Sequence, residues 1–167
     1  MGAIHELGQA IRARRAEMGL SQTQVAALSG LSRQTVSQLE TGAVPDLGLN
    51  KAERLAALLG LALRVDTGRA RPPGRHKMTP LMRAAATASV SYKTPLTAAT
   101  LKRILVTGRI PEDYAPHLHA LLDDAPVALL AAVADQLHAE TGMDRHAVWT
   151  TYRRLAHEVK SRRGIWT

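Results

Sequence analysis

Apolar residues at Ile4, Leu7, Ile11 and Met18 recur at helical spacing until Gly19 stops the run. The spacing predicts a first helix, with Arg12, Arg14 and Arg15 largely on its other faces. Ser21 then starts a second helix. Its hydroxyl suits an N-cap, Gln24 three residues on completes a capping box, and Leu20 with Val25 forms a hydrophobic staple. Ser29-Gly30 ends it, and the grammar repeats: Ser32 caps a third helix, Leu31 staples to Val36, Val36 and Leu39 point inward, and Thr41-Gly42 closes it. A fourth helix fits Leu49 to Leu59, with Leu55, Leu58 and Leu59 turned to the core and Gly60 as its stop. Leu61-Ala62-Leu63-Arg64-Val65 then alternates, which predicts a short strand. A lone strand leaves its hydrogen-bonding edges unmet, so Leu61, Leu63 and Val65 are expected to pair with a second subunit.

Thr67 to Lys77 (TGRARPPGRHK) has no apolar period and two adjacent prolines, so it reads as a semi-rigid linker. Helical patterning resumes beyond it. Thr79-Pro80 and Thr94-Pro95 each read as a cap followed by proline in the first turn, the second helix closing at Gly108 and Pro111. A short helix fits Pro116 to Leu122. A longer one opens at Pro126 and runs to Glu140 on Leu130, Val133 and Leu137. Asp144 caps a last one with Val148, Tyr152, Leu155 and Val159 inside. The predicted fold class is all-α: a five-helix-type, lambda-repressor-like unit with a short terminal strand over residues 1–66, a basic Pro/Gly linker over 67–78, and a second helical domain over 79–167.

Composition changes this picture in two ways. With no Phe and aromatics at 3%, the core must be aliphatic, as packed helices allow. With no cysteine, disulfides, thiolate metal sites and cysteine nucleophiles are excluded, in keeping with a reducing cytoplasm. No basic leader runs into an apolar segment and no apolar run approaches a membrane span, so a soluble, cytoplasmic protein without a membrane partner is expected. The net charge is +8, and Arg69, Arg71, Arg75, Lys77 and Arg83 contribute five of these charges in one short stretch without an acid. A polyanionic partner is the natural inference.

Two short helices joined at Gly30, the second capped at its start, form a helix-turn-helix whose second helix suits the DNA major groove. Arg33, Gln34, Thr35, Ser37 and Gln38 supply polar side chains of moderate reach there, Arg suiting guanine and Gln adenine. Gln22 and Thr23, beside free backbone N–H groups at a helix start, suit phosphate. The run SQTQVAALSGLSRQTVSQLETG closely resembles the helix-turn-helix of the Cro/cI-like (XRE) regulators of bacteria and phages. LGQAIRARRAEMGLSQ resembles that family's first helix and LNKAERLAALLGLAL its fourth, so the likeness spans about residues 5–66. It implies base reading by Arg33, Gln34, Thr35, Ser37 and Gln38 and a phosphate contact at Gln22. The loop from Thr41 to Leu49 departs from the family in being short of basic residues. LALRV is similar to the terminal strand that pairs across the dimer in HipB-like antitoxins.

Arg69, Arg71, Arg75, His76 and Lys77 suit phosphates or a narrow minor groove, as basic arms do. The second half resembles no family. His117 and His119, two apart, cannot share a helix face, and no acid cluster joins them, so no metal site is expected. Asp123-Asp124 favours the start of the next helix, and Ser89, Ser91 and the histidines make no triad motif. There is no phosphate-cradling glycine loop. Trp149 and Tyr152 read as core or interface anchors, and Lys160 to Gly164 as a solvated charged terminus. No catalytic residue and no cofactor are expected, and the chain is not expected to be an enzyme. These features predict a homodimeric repressor on a palindromic double-stranded operator, associated with the nucleoid, that doubles as the autoregulating antitoxin of a cognate toxin. The alternative is a one-component regulator whose second domain binds a small-molecule effector.

Overall fold

The computed structural model of the protein describes residues 2–63 and 78–167. They form nine α-helices: α1 (Ala3–Met18), α2 (Gln22–Ser29), α3 (Arg33–Glu40), α4 (Leu49–Leu58), α5 (Pro80–Ser89), α6 (Ala98–Thr107), α7 (Ala115–Asp124), α8 (Val127–Thr141) and α9 (Arg145–Glu158). Single 3₁₀ turns at Glu112–Tyr114 and Gly164–Trp166 complete the described secondary structure. The expected stop and start signals operate where local chemistry decides them. The Ser21 hydroxyl accepts from the Gln24 amide while the Gln24 side chain accepts from the Ser21 amide, closing the capping box. Thr79 and Asp144 cap α5 and α9.

Three expectations change. The helix predicted from Thr94-Pro95 begins three residues later, because Thr97 caps it by accepting from the Thr100 amide. Leu61 to Leu63 join no strand, since a single chain offers that segment no edge to pair with; Val65 lies outside the described residues. The basic terminus changes only in part: Lys160, Arg162 and Gly164 are exposed as expected, Arg163 is half-buried, and just beyond them Ile165 and Trp166 are buried, with the Trp166 indole N–H donating to the Leu122 carbonyl.

Helices α1 to α4 pack as one group, with α3 against α1 and α2, and α4 against α2. The approach of α1 to α3 is made at Gly8, where a Cβ would stand 2.0 Å from the Leu39 carbonyl oxygen. In the second group α5 lies among α6, α7 and α8, and α9 crosses α6, α7 and α8. Trp149, Tyr152 and Trp166 cluster at the base of α9, with ring centroids 5.2 to 6.3 Å apart. The Tyr152 hydroxyl donates to the Leu130 carbonyl, and burial pushes its ionisation well above the ordinary tyrosine value.

The two groups touch directly. Helix α1 packs on α9 and α4 on α8, so the buried apolar residues form one continuous cluster. Asp135 of α8 accepts from both terminal guanidinium nitrogens of Arg14 on α1 at 2.9 and 3.0 Å, and from Arg145 Nε of α9 at 2.6 Å. Burial alone would raise this carboxyl, but the two arginines outweigh it and hold it below the usual carboxylate range. Arg153 of α9 donates to the Met18 carbonyl at the end of α1. Gly60 meets Ala131 so closely that a Cβ there would stand 2.9 Å from the alanine methyl.

Candidate nucleic-acid interface

The surface of α3 follows from its period. Val36, Leu39 and Glu40 are buried on one side, which turns Gln34 and Gln38 outward, with Arg33 exposed beside them. These three are free to meet a groove. Ser37 is half-buried. Thr35 is also half-buried, and its hydroxyl lies 2.8 Å from that of the capping Ser32, so its polar end is engaged in closing the helix start. Of the five residues predicted to read bases, the structure thus presents three outward and places two at the edge of the face.

Behind the exposed polar face of α3 lies a buried charge that sequence patterning did not single out. Glu40, 2% exposed, receives Arg15 Nε at 2.6 Å and Arg15 Nη2 at 2.8 Å. Gln22 Nε2 donates to the same carboxylate at 3.0 Å. Arg15 also donates to the Leu20 carbonyl at 3.0 Å, so one guanidinium ties α1, the turn into α2 and the end of α3 together. Burial would push the Glu40 carboxyl up; the hydrogen bonds from Arg15 and Gln22, with Arg12 nearby, more than reverse this and hold it below its ordinary value. The same pairing raises the Arg15 guanidinium. Glu40 and Arg15 stand twenty-five residues apart, and that separation hid the pair from helical-spacing arguments.

Gln22 is therefore oriented by Glu40 from within, half-buried, with one amide hydrogen committed and one left to donate. Thr23 is exposed beside it. The backbone N–H groups of Gln22 and Thr23, the first two of α2, have no acceptor within the helix. Side chain, backbone and helix dipole converge on one spot suited to a phosphate oxygen. The loop from Thr41 to Gly48 buries Val44 and Leu47, and it holds Asp46 and no cation. Arg69, Arg71, Arg75 and Lys77 lie outside the described residues.

Residues 11–65 match the sequence model described as helix-turn-helix. This segment is a Cro/cI-like helix-turn-helix domain. It is a DNA-binding unit of the kind that transcription regulators use, and α2 and α3 are its two motif helices. No curated protein and no solved structure shows significant similarity to the chain. Among the described residues no single helix is long and apolar enough to cross a membrane.

An apolar groove of about 480 Å³ opens between α1 and α4, lined by Ile4, Leu7, Leu47, Leu49, Ala52 and Leu63. Leu49 is 75% and Leu63 41% exposed. A second apolar surface runs along α5, where Met82, Ala86 and, at its end, Val90 are exposed at steps of four residues, one side of a helix, with Met78 exposed just before its cap. A crevice of about 400 Å³ lies beside it, lined by residues that include Thr87, Val90, Tyr92, His119, Asp123 and Asp124.

Proposed function

We propose that the protein is a sequence-specific transcriptional repressor that binds a palindromic operator as a homodimer. The outward display of Arg33, Gln34 and Gln38 on a short capped helix, backed by the buried Arg15–Glu40–Gln22 network, is the observation that carries this reading. Arg33, Gln34 and Gln38 read base edges, with Thr35 and Ser37 at the margin, while Gln22, Thr23 and the linker cations Arg69, Arg71, Arg75 and Lys77 hold phosphates. Two such helices bind half-sites about 34–36 Å apart when their domains pair. The exposed Leu49 and Leu63 beside the apolar groove support pairing on that side, with Leu61, Leu63 and Val65 as its strand. The division into a helix-turn-helix domain over 1–66, a linker over 67–78 and a helical domain over 79–167 belongs to this reading. So does a place in the nucleoid.

The second helical domain binds a cognate toxin, which makes the repressor an autoregulating antitoxin. The four-step apolar ridge on α5 supports a protein partner there, since exposed methionine and valine in a row favour a macromolecular surface. The effector-binding alternative draws on the crevice between α5 and α7, whose mixed lining suits a small polar molecule. Selection of duplexes from a random pool by the full chain tests the core of the proposal. Enrichment of a palindromic site is expected; recovery of an unenriched pool would remove sequence-specific repression. Co-purification of the chain with the product of the adjacent gene, against a shift in operator affinity with small molecules, separates the two roles of the second domain.

A further inference from the structure

We infer that the end of α9 and the tail after it form a second phosphate-contacting surface, Lys160 and Arg162, that grips the DNA backbone beside the half-site. The inference rests on the proposal that the helix-turn-helix domain binds DNA. Helix α9 packs on α1. Arg145 near its start meets the Asp135 carboxylate that Arg14 also holds, and Arg153, two turns on, reaches the Met18 carbonyl where α1 ends. The chain beyond α9 then arrives at the first turn of α2, where Gln24 Nε2 donates to the Gly164 and Thr167 carbonyls at 3.3 and 3.2 Å. That turn is the one whose free N–H groups and Gln22 are aimed at phosphate.

The tail is held rather than loose. Ile165 and Trp166 are buried, the Ser161 hydroxyl meets the Asp123 carboxylate, and Arg163 donates to the Ala125 carbonyl at 2.5 Å. Arg163 is thereby consumed in closing α7. Lys160 and Arg162 remain exposed, and neither makes an ion pair among the described residues.

An independent observation concerns the backbone at Lys160. Helices α1, α2, α4, α6 and α8 all end on a glycine in the left-handed region. Helix α9 closes in the same way, with the Ser161 amide donating to the Ala156 carbonyl, yet the left-handed position is Lys160 at φ 58. It is the one non-glycine residue with positive φ among the described residues. Glycine would fit there without strain, whereas this helix ends on a residue that carries a charge.

The test compares the salt dependence of binding to a short duplex of arbitrary sequence, because phosphate contacts are independent of sequence. Lys160→Gly removes the charge and relieves the backbone, so the variant stays folded; Arg162→Gln removes the second charge at an exposed site. Each is expected to make the slope of log K against log salt shallower by about 0.9 per bound protomer, and the pair by about 1.8 per protomer. Lys160→Arg is expected to keep the wild-type slope, as is Lys93→Gln, an exposed cation in the loop between α5 and α6. Unchanged slopes in the Gly and Gln variants, with the wild type binding normally, overturn the inference while leaving the helix-turn-helix reading intact. An equal change in Lys93→Gln overturns it too, by showing an effect of net charge alone. A wild type that binds no duplex at low salt overturns both.

Discussion

Replacing Gly8 with alanine sets two known effects against each other, and the structure decides between them. In the interior of α1, alanine is favoured over glycine by about 1 kcal/mol, so helix propensity alone predicts a more stable protein. Yet the new Cβ would stand 2.0 Å from the Leu39 carbonyl oxygen and 3.0 Å from its carbon. Carbon and carbonyl oxygen approach no closer than about 3.3 Å, so α1 and α3 must part by more than about 1 Å. The obstacle is backbone, so no rotamer change relieves it, and the cost falls at the upper end of the overpacking range, about 3 kcal/mol. The net expectation is a loss of about 2 kcal/mol, or roughly 4–8 °C in melting temperature for a chain of this size. Thermal and urea unfolding followed by circular dichroism measure it. Ala10→Gly, at an exposed site on the same helix, calibrates the propensity term with an expected loss of about 1 kcal/mol. Operator affinity measured well below the melting point should also fall, because Leu39 is the inward anchor of α3. A Gly8→Ala protein as stable as the wild type, or more so, refutes the close approach and the seating of α3 on α1 derived from it.

Other outcomes follow from the same contacts. Asp135→Asn leaves Arg14 and Arg145 without their shared carboxylate, and after allowance for solvent screening should lower stability by about 1–2 kcal/mol in urea unfolding. Glu40 and Asp135 both have carboxyls held low in the folded state, so their stabilisation is complete above the unfolded values, near 4, and fades as pH falls through the lower folded ones. Unfolding free energy should therefore drop below about pH 4, and Glu40→Gln should flatten that drop while being less stable at neutral pH. Gln34→Ala should weaken operator binding by about 1–3 kcal/mol and relax preference at one base pair, whereas uniform weakening on all duplexes would mark Gln34 as a phosphate contact. Leu63→Asp should shift sedimentation from dimer to monomer; an unchanged dimer removes the pairing surface beside the groove.

The helix-turn-helix was legible in the sequence because its information is local. Capping by Ser21 and Ser32, arrest at Gly30 and the inward pair Val36 and Leu39 depend on residues within four positions of one another, the range over which side chains meet on a helix. Where two local signals competed, the reading misplaced a boundary. Thr94-Pro95 and Thr97 both offer caps, and Thr97 starts the helix while Leu96 beside it is buried. The strand at Leu61 to Leu63 was expected from alternation, but alternation specifies which faces are apolar and not whether an edge is available to pair. The terminus read as solvated from its charges, since Lys160, Arg162 and Arg163 outnumber the two apolar residues after them. Burial of Ile165 and Trp166 depends on a cleft that α7 and α9 build together.

The sequence by itself determined the helices, their caps, the aliphatic core and the polar face of α3. Each of these is set by propensity, period or hydrogen bonding between near neighbours, although short helices such as α2 and α3 persist only when packed. Only the tertiary structure decided that Arg15, Gln22 and Glu40 form one network, that Asp135 joins Arg14 to Arg145, and that the tail lies on the start of α2. Such contacts join residues far apart in the chain, and their energy appears only when packed helices exclude water from both partners at once. A carboxylate such as Glu40 reads as one more surface charge until the fold buries it against a guanidinium.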